Sequence, residues 1–116
     1  MNDDPKKTVE FSVDRQNLYQ EAVYTDLKIA TIRQLIPVKA DGAQDKSRKV
    51  IYVGQTNLLT PEGPIPIQGV ITAKDLQQAI KRFPEAMNEA MDKLVEQAQR
   101  AKQEKESRII MPGGQQ

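Results

Sequence analysis

The segment from Val50 to Ile71 constrains the fold more than any other. Val50–Leu59 (VIYVGQTNLL) is rich in β-branched and aromatic residues and reads as a strand. Thr60-Pro61-Glu62-Gly63 follows as a type I turn, with proline's fixed φ at the second position and glycine's freedom at the fourth. Beyond it, Ile65, Ile67, Gly69 and Ile71 alternate with Pro64, Pro66, Gln68 and Val70, which is the period of a second strand. Pro64 and Pro66 cannot donate ladder hydrogen bonds, so this strand begins at a sheet edge or outside the ladder. Strand, tight turn, strand is therefore the nucleus of the predicted architecture.

Upstream, Leu18–Val38 also carries strand-forming residues: Val23, Thr25, Ile29, Thr31, Ile32, Ile36 and Val38. Its alternation changes parity along the way. Leu27, Ile29 and Leu35 fall on one side, and Ala30, Ile32, Ile36 and Val38 on the other. A β-bulge near Ala30–Ile32 reconciles the two sets, because one extra residue flips the parity. A helix through Leu18, Ala22, Ile29, Ile32 and Ile36 is the competing reading. Between this region and Val50, residues 39–49 form a polar loop with Asp41-Gly42 as its turn signal.

After Ile71 the period changes. Thr72 and Asp75 resemble a capping box, and Leu76, Ala79, Ile80 and Phe83 follow at helical spacing. Pro84 interrupts, yet Met87, Ala90, Met91, Leu94, Val95, Ala98 and Ala101 resume the stripe in phase. A short and a long helix meeting at a kink, with Pro84 at the first position of the second, accommodates both facts. Gln99–Ser107 is almost wholly polar and is expected to project into solvent.

These elements predict an α+β chain: an antiparallel meander of three or four strands followed by a kinked C-terminal helix packed on one face. At 116 residues, one domain is the expectation, over residues 17–106. Residues 1–16 read as a flexible arm in which Val9, Phe11 and Val13 alternate like a short edge strand. Residues 107–116 read as a tail, with Ile109–Met111 able to dock back on the sheet.

Composition removes whole classes of chemistry. The chain has no Cys, His or Trp, which excludes disulfides, Cys/His zinc sites, thiolate nucleophiles and histidine acid–base catalysis. Seventeen basic residues against sixteen acidic ones give a net charge of +1, so neither nucleic acid nor an acidic membrane is indicated as partner. Five aromatics offer little stacking platform for single strands, and the glycines form no phosphate-binding pattern. No apolar run reaches the roughly 18 residues of a bilayer span, and no apolar core follows the N-terminal charges. A cytoplasmic protein with no cofactor is expected, and not an enzyme.

Two features point to protein partners. Val50–Ala73 spans 24 residues with a single charge, Glu62. Such a neutral segment either pairs with a partner or is covered by the chain's own helix. Phe83, Met87, Met91 and Leu94 form a stripe on the helix that suits a partner groove or the domain's own sheet. Glu85, Glu89, Asp92 and Glu96 share one side of the helix, but their basic neighbours read as a solvated face rather than an oxygen-ligand metal site. Lys46-Ser47-Arg48-Lys49 is a small basic cluster with Asp41 and Asp45 beside it.

The strings Tyr24-Thr25-Asp26-Leu27-Lys28, Val53-Gly54-Gln55-Thr56, Leu59-Thr60-Pro61-Glu62-Gly63-Pro64 and Arg82-Phe83-Pro84-Glu85-Ala86 resemble a family of short uncharacterised bacterial cytoplasmic proteins. The resemblance covers roughly Leu18–Gly114. It implies a bacterial, cytoplasmic setting and carries no activity or site residue. The functional expectation is a self-associating protein–protein interaction module, a homodimer. The alternative is a peptide-binding or chaperone-like protein using the neutral sheet edge and the methionine-bearing helix.

Overall fold

The structure, a computed structural model, describes the backbone of residues 10–110 and the side chains of residues 10–104. Four antiparallel strands run in sequence order across one sheet: β1 (Tyr19–Thr25), β2 (Thr31–Pro37), β3 (Ile51–Thr60) and β4 (Gly63–Ile71). One helix, α1 (Leu76–Ile110), follows and packs on the sheet. The expected α+β meander is the observed architecture, with four strands.

The β3–β4 hairpin forms as the sequence indicates. Thr60 pairs with Gly63 and Leu58 with Ile65, so Pro61 and Glu62 alone make the reversal. Gly63 has φ +116, a conformation that L side chains rarely adopt. The strand with two prolines is an edge strand. Pro64 and Pro66 fall two residues apart, on the same side of the ladder, and remove two donors that would otherwise template pairing.

Residues 18–38 depart from the expected bulge and from the helical alternative. They form a hairpin, with Tyr24 opposite Ile32 and Thr25 opposite Thr31. The parity change arises from a five-residue loop, Asp26–Ala30, that contains neither glycine nor proline.

Opposed residues share a face, so Ile32, Tyr52, Gly54, Ile67, Gly69 and Ile71 all point toward α1. Ile32, Tyr52, Ile67 and Ile71 join Ala79, Phe83 and Met87 in the core. Gly54 and Gly69 are register partners beneath the helix. A Cβ at Gly54 would lie 2.9 Å from Ile71 Cδ1 and from Met87 Cε, so the missing side chain is what admits the helix.

α1 runs through Pro84 as a single element. Proline leaves the Ile80 carbonyl without its helical donor, a cost of about 3 kcal/mol. Burying Phe83 and Met87, which flank Pro84 in one stripe, contributes about 1.5–3 kcal/mol each and outweighs it. The N-cap lies three residues later than expected. Asp75, not Thr72, accepts from the Gln78 N–H at 2.8 Å, and Gln78 Oε1 accepts from the Lys74 N–H at 2.7 Å.

α1 contacts β4 and β3 far more than β2. From Asp92 to Glu104 every residue is exposed, so the helix leaves the sheet beyond Met91. Among the described residues no helix is long and apolar enough to cross a membrane. Glu10–Asp14 has no regular structure, and Arg15–Asn17 is one 3-10 turn capped by Asp14. Val9 and Met111, invoked above as strand-forming or docking residues, lie outside the described residues, whereas Ile109 and Ile110 belong to the backbone of α1.

Candidate functional site

The β1–β2 loop is built on Thr25 and Asp26. Asp26 Oδ1 accepts from the N–H groups of Lys28, Ile29 and Ala30 at 2.8, 2.9 and 3.0 Å. Thr25 Oγ1 accepts from the Leu27 N–H at 3.0 Å and donates to the Ala30 carbonyl at 2.9 Å. The Asp26 N–H itself donates to the Ala30 carbonyl. Every N–H from Asp26 to Ala30 thus has an acceptor, although the loop is exposed. Thr56 Oγ1 donates to the Ile29 carbonyl at 2.7 Å and ties the loop to β3. These bonds, that to Lys28 foremost, hold the Asp26 carboxyl below the usual carboxylate range, because they favour its charged form.

The loop presents apolar side chains to solvent. Leu27 is 88% exposed and has φ +61, a left-handed conformation that is an outlier for a bulky residue. Ile29 is 69% exposed. Beside them lies a groove of about 460 Å³ between the hairpin and the first turns of α1. Tyr24, Ala30 and Ile32 line it from the sheet, and Leu76, Ile80 and Phe83 from the helix. It exists because α1 covers β4 and β3 and stops short of β1. Asp26 is its one ionisable carboxylate, and its Oδ1 is already engaged by three N–H groups of the loop backbone.

The stripe singled out on the helix divides. Phe83 and Met87 are buried in the chain's own core and offer a partner almost no surface. Met91 is half-buried at the core's margin, and Leu94 is 36% exposed where the helix departs. Among the described residues nothing covers the sheet face away from α1. It carries Val23 and Val70, both exposed, with Leu35 and Val53 between β1 and β4. Glu21 and Arg33 form an ion pair at 2.6 Å on that face, which keeps it amphipathic.

The basic cluster of the polar loop is divided too. Arg48 folds inward: Nε donates to Asp45 Oδ2 at 3.0 Å, and Nη2 donates to the Leu18 and Val38 carbonyls at 3.0 and 2.9 Å. Its guanidinium sits 5.0 Å from the centre of the Tyr19 ring. Arg48 therefore clamps the start of β1 to the end of β2. Ser47 and Arg48, donating to Asp45, hold that carboxyl down at about 2, and Asp45 raises the Arg48 pKa. Glu85, Glu89, Asp92 and Glu96 are exposed, and Glu96 pairs with Arg100 at 3.3 Å. Among the described residues no group of three potential ligands could hold a metal ion.

A polar chain crosses the sheet beside the groove: Tyr24 Oη donates to Gln34, and Gln34 Nε2 donates to Tyr52 Oη at 3.0 Å. It satisfies the hydroxyl of Tyr52, which is buried in the core. The hairpin loop and the groove were not singled out from sequence. Their signal was Thr25-Asp26, two residues whose side chains bond the backbone just ahead of them. In comparison with known proteins, the chain matches no family model, no curated protein and no solved structure.

Proposed function

We propose that the protein is a non-enzymatic interaction module of the bacterial cytoplasm that self-associates as a homodimer. The observation that carries this reading is the fixed, exposed apolar surface at the β1–β2 loop. Leu27 and Ile29 stand in solvent on a loop whose amides are all bonded, and an apolar groove opens beside them. Apolar side chains held rigidly in water, next to an apolar concavity, are the usual preparation for a protein contact. The absence of His and Cys from the whole sequence supports a role without covalent or histidine-based chemistry. A cysteine-free composition fits the cytoplasmic setting of this proposal.

Sedimentation equilibrium across 1–100 µM, on the order of the concentrations at which weak interfaces assemble, tests the reading. A monomer–dimer equilibrium supports it, and a species of 13.1 kDa at every concentration contradicts it. A second reading, capture of an apolar peptide, is supported by the volume of the groove. It draws less from the features that suggested it in sequence, since Met87 is buried and the β4 edge begins with two prolines.

A further inference from the structure

The loop and the groove are two halves of one contact. Leu27 projects from the loop whose neighbouring residues Asp26, Ile29 and Ala30 line the groove, so knob and hole are adjacent on the β1–β2 hairpin. A two-fold axis beside such a surface brings the knob of each copy into the hole of the other, with one patch serving both subunits. The hole fits the knob in chemistry as well as in position. It is lined by Tyr24, Ile29, Ile32, Leu76, Ile80 and Phe83, and its carboxylate, Asp26, is held through Oδ1 by three backbone N–H groups. At about 460 Å³ it has room for the Leu27 side chain of a second copy.

We infer that the dimer proposed above, on which this inference rests, forms by reciprocal insertion of Leu27 into the β1–β2/α1 groove of a second copy of the chain. The left-handed backbone at Leu27 supports this. A leucine there is strained, and glycine, asparagine or aspartate would relieve the strain. Strain of this kind persists where the surrounding structure enforces it, and it clusters at active sites, ligand clamps and switch regions. Area supports a second copy too. Tyr24, Leu27, Ile29 and Ile80 together expose on the order of 500 Å² per copy, or ~1,000 Å² in the pair, which is the lower limit for a specific interface. An interface at that lower limit belongs to the weak, transient class, and Leu27 is its central anchor.

The experiment uses the full chain and two readouts. Leu27→Asp keeps a residue tolerant of positive φ and puts a charge in the groove, so it should leave the circular dichroism spectrum unchanged. It should also raise the dimer dissociation constant by at least about 30-fold, the effect of losing a central anchor. Because the chain contains no cysteine, single-cysteine variants can be cross-linked against a clean background. Oxidising a mixture of Leu27→Cys and Ile80→Cys should give a disulfide-linked pair containing one of each, whereas Leu27→Cys with Val70→Cys should not. An unchanged dimer in Leu27→Asp overturns the insertion while leaving self-association standing. So does cross-linking through Val70, which would place the contact on the open sheet face. A wild-type chain that remains monomeric overturns both.

Discussion

Replacing Gly54 by valine tests the packing that positions the groove. In a central strand valine is ordinarily favoured over glycine, which weakens strands by roughly 0.5–1 kcal/mol. Here the sign should reverse. A Cβ at position 54 stands 2.9 Å from Ile71 Cδ1, 2.9 Å from Met87 Cε and 3.1 Å from Phe83 Cδ1. The ends of Ile71 and Met87 can rotate away, but the Phe83 ring edge cannot, and valine adds two further methyls on the same side. Overpacking of this kind costs about 1–3 kcal/mol. After the gain in strand propensity, a net loss of about 1–2 kcal/mol remains. At about 4–8 °C per kcal/mol for a domain of this size, Tm should fall by roughly 5–15 °C. Thermal melts followed by circular dichroism measure this. The double variant with Met87→Ala supplies the cause, because removing the thioether makes room for the valine. The double variant should lose less than the sum of the two single losses, by about 1 kcal/mol or more. A Gly54→Val protein as stable as wild type, or strictly additive losses, would refute the placement of α1 against β3.

Two other outcomes follow from the polar clamps. Asp45 has its pKa lowered from 3.8 to about 2, so its contribution to stability is fully present above pH ~4 and is lost as the pH falls toward 2. Wild-type Tm should therefore drop more steeply than that of Asp45→Asn between pH 4 and 2, and parallel profiles would contradict the assignment. Arg48→Lys keeps the charge but cannot reach Asp45, Leu18 and Val38 together, so amide exchange should accelerate at Val38, whose N–H donates to the Leu18 carbonyl, while the β3–β4 hairpin stays protected. Equal protection at Val38 in both proteins would show that the clamp is dispensable.

The legible part of the fold is the part with local signals. Pro61 and Gly63 mark one reversal, the isoleucines of β4 keep strict alternation, and the α1 stripe holds its phase across Pro84. The β1–β2 loop lacked such punctuation. Its turn is made by an aspartate carboxylate accepting three backbone N–H groups, with a leucine at positive φ, and the change of parity it causes looks like a bulge. Asp75 and Thr72 are both competent caps, and choosing between them needed the hydrogen bond to Gln78. Arg48 reaches a carbonyl thirty residues away, which local patterning cannot foresee. The same limit governs the site. Phe83 and Met87 looked available on the helix and are buried by Gly54 and Ile71, while Leu27 gained significance from a conformation rather than from its neighbours in sequence.

The central claim is that the chain pairs with itself through the β1–β2 loop, and sedimentation equilibrium of wild type and Leu27→Asp side by side tests it most directly. Wild type should fit a monomer–dimer equilibrium approaching twice 13.1 kDa with a micromolar dissociation constant, and Leu27→Asp should remain near 13.1 kDa at the same concentrations. Two proteins with indistinguishable mass distributions, whether both monomeric or both dimeric, would contradict it.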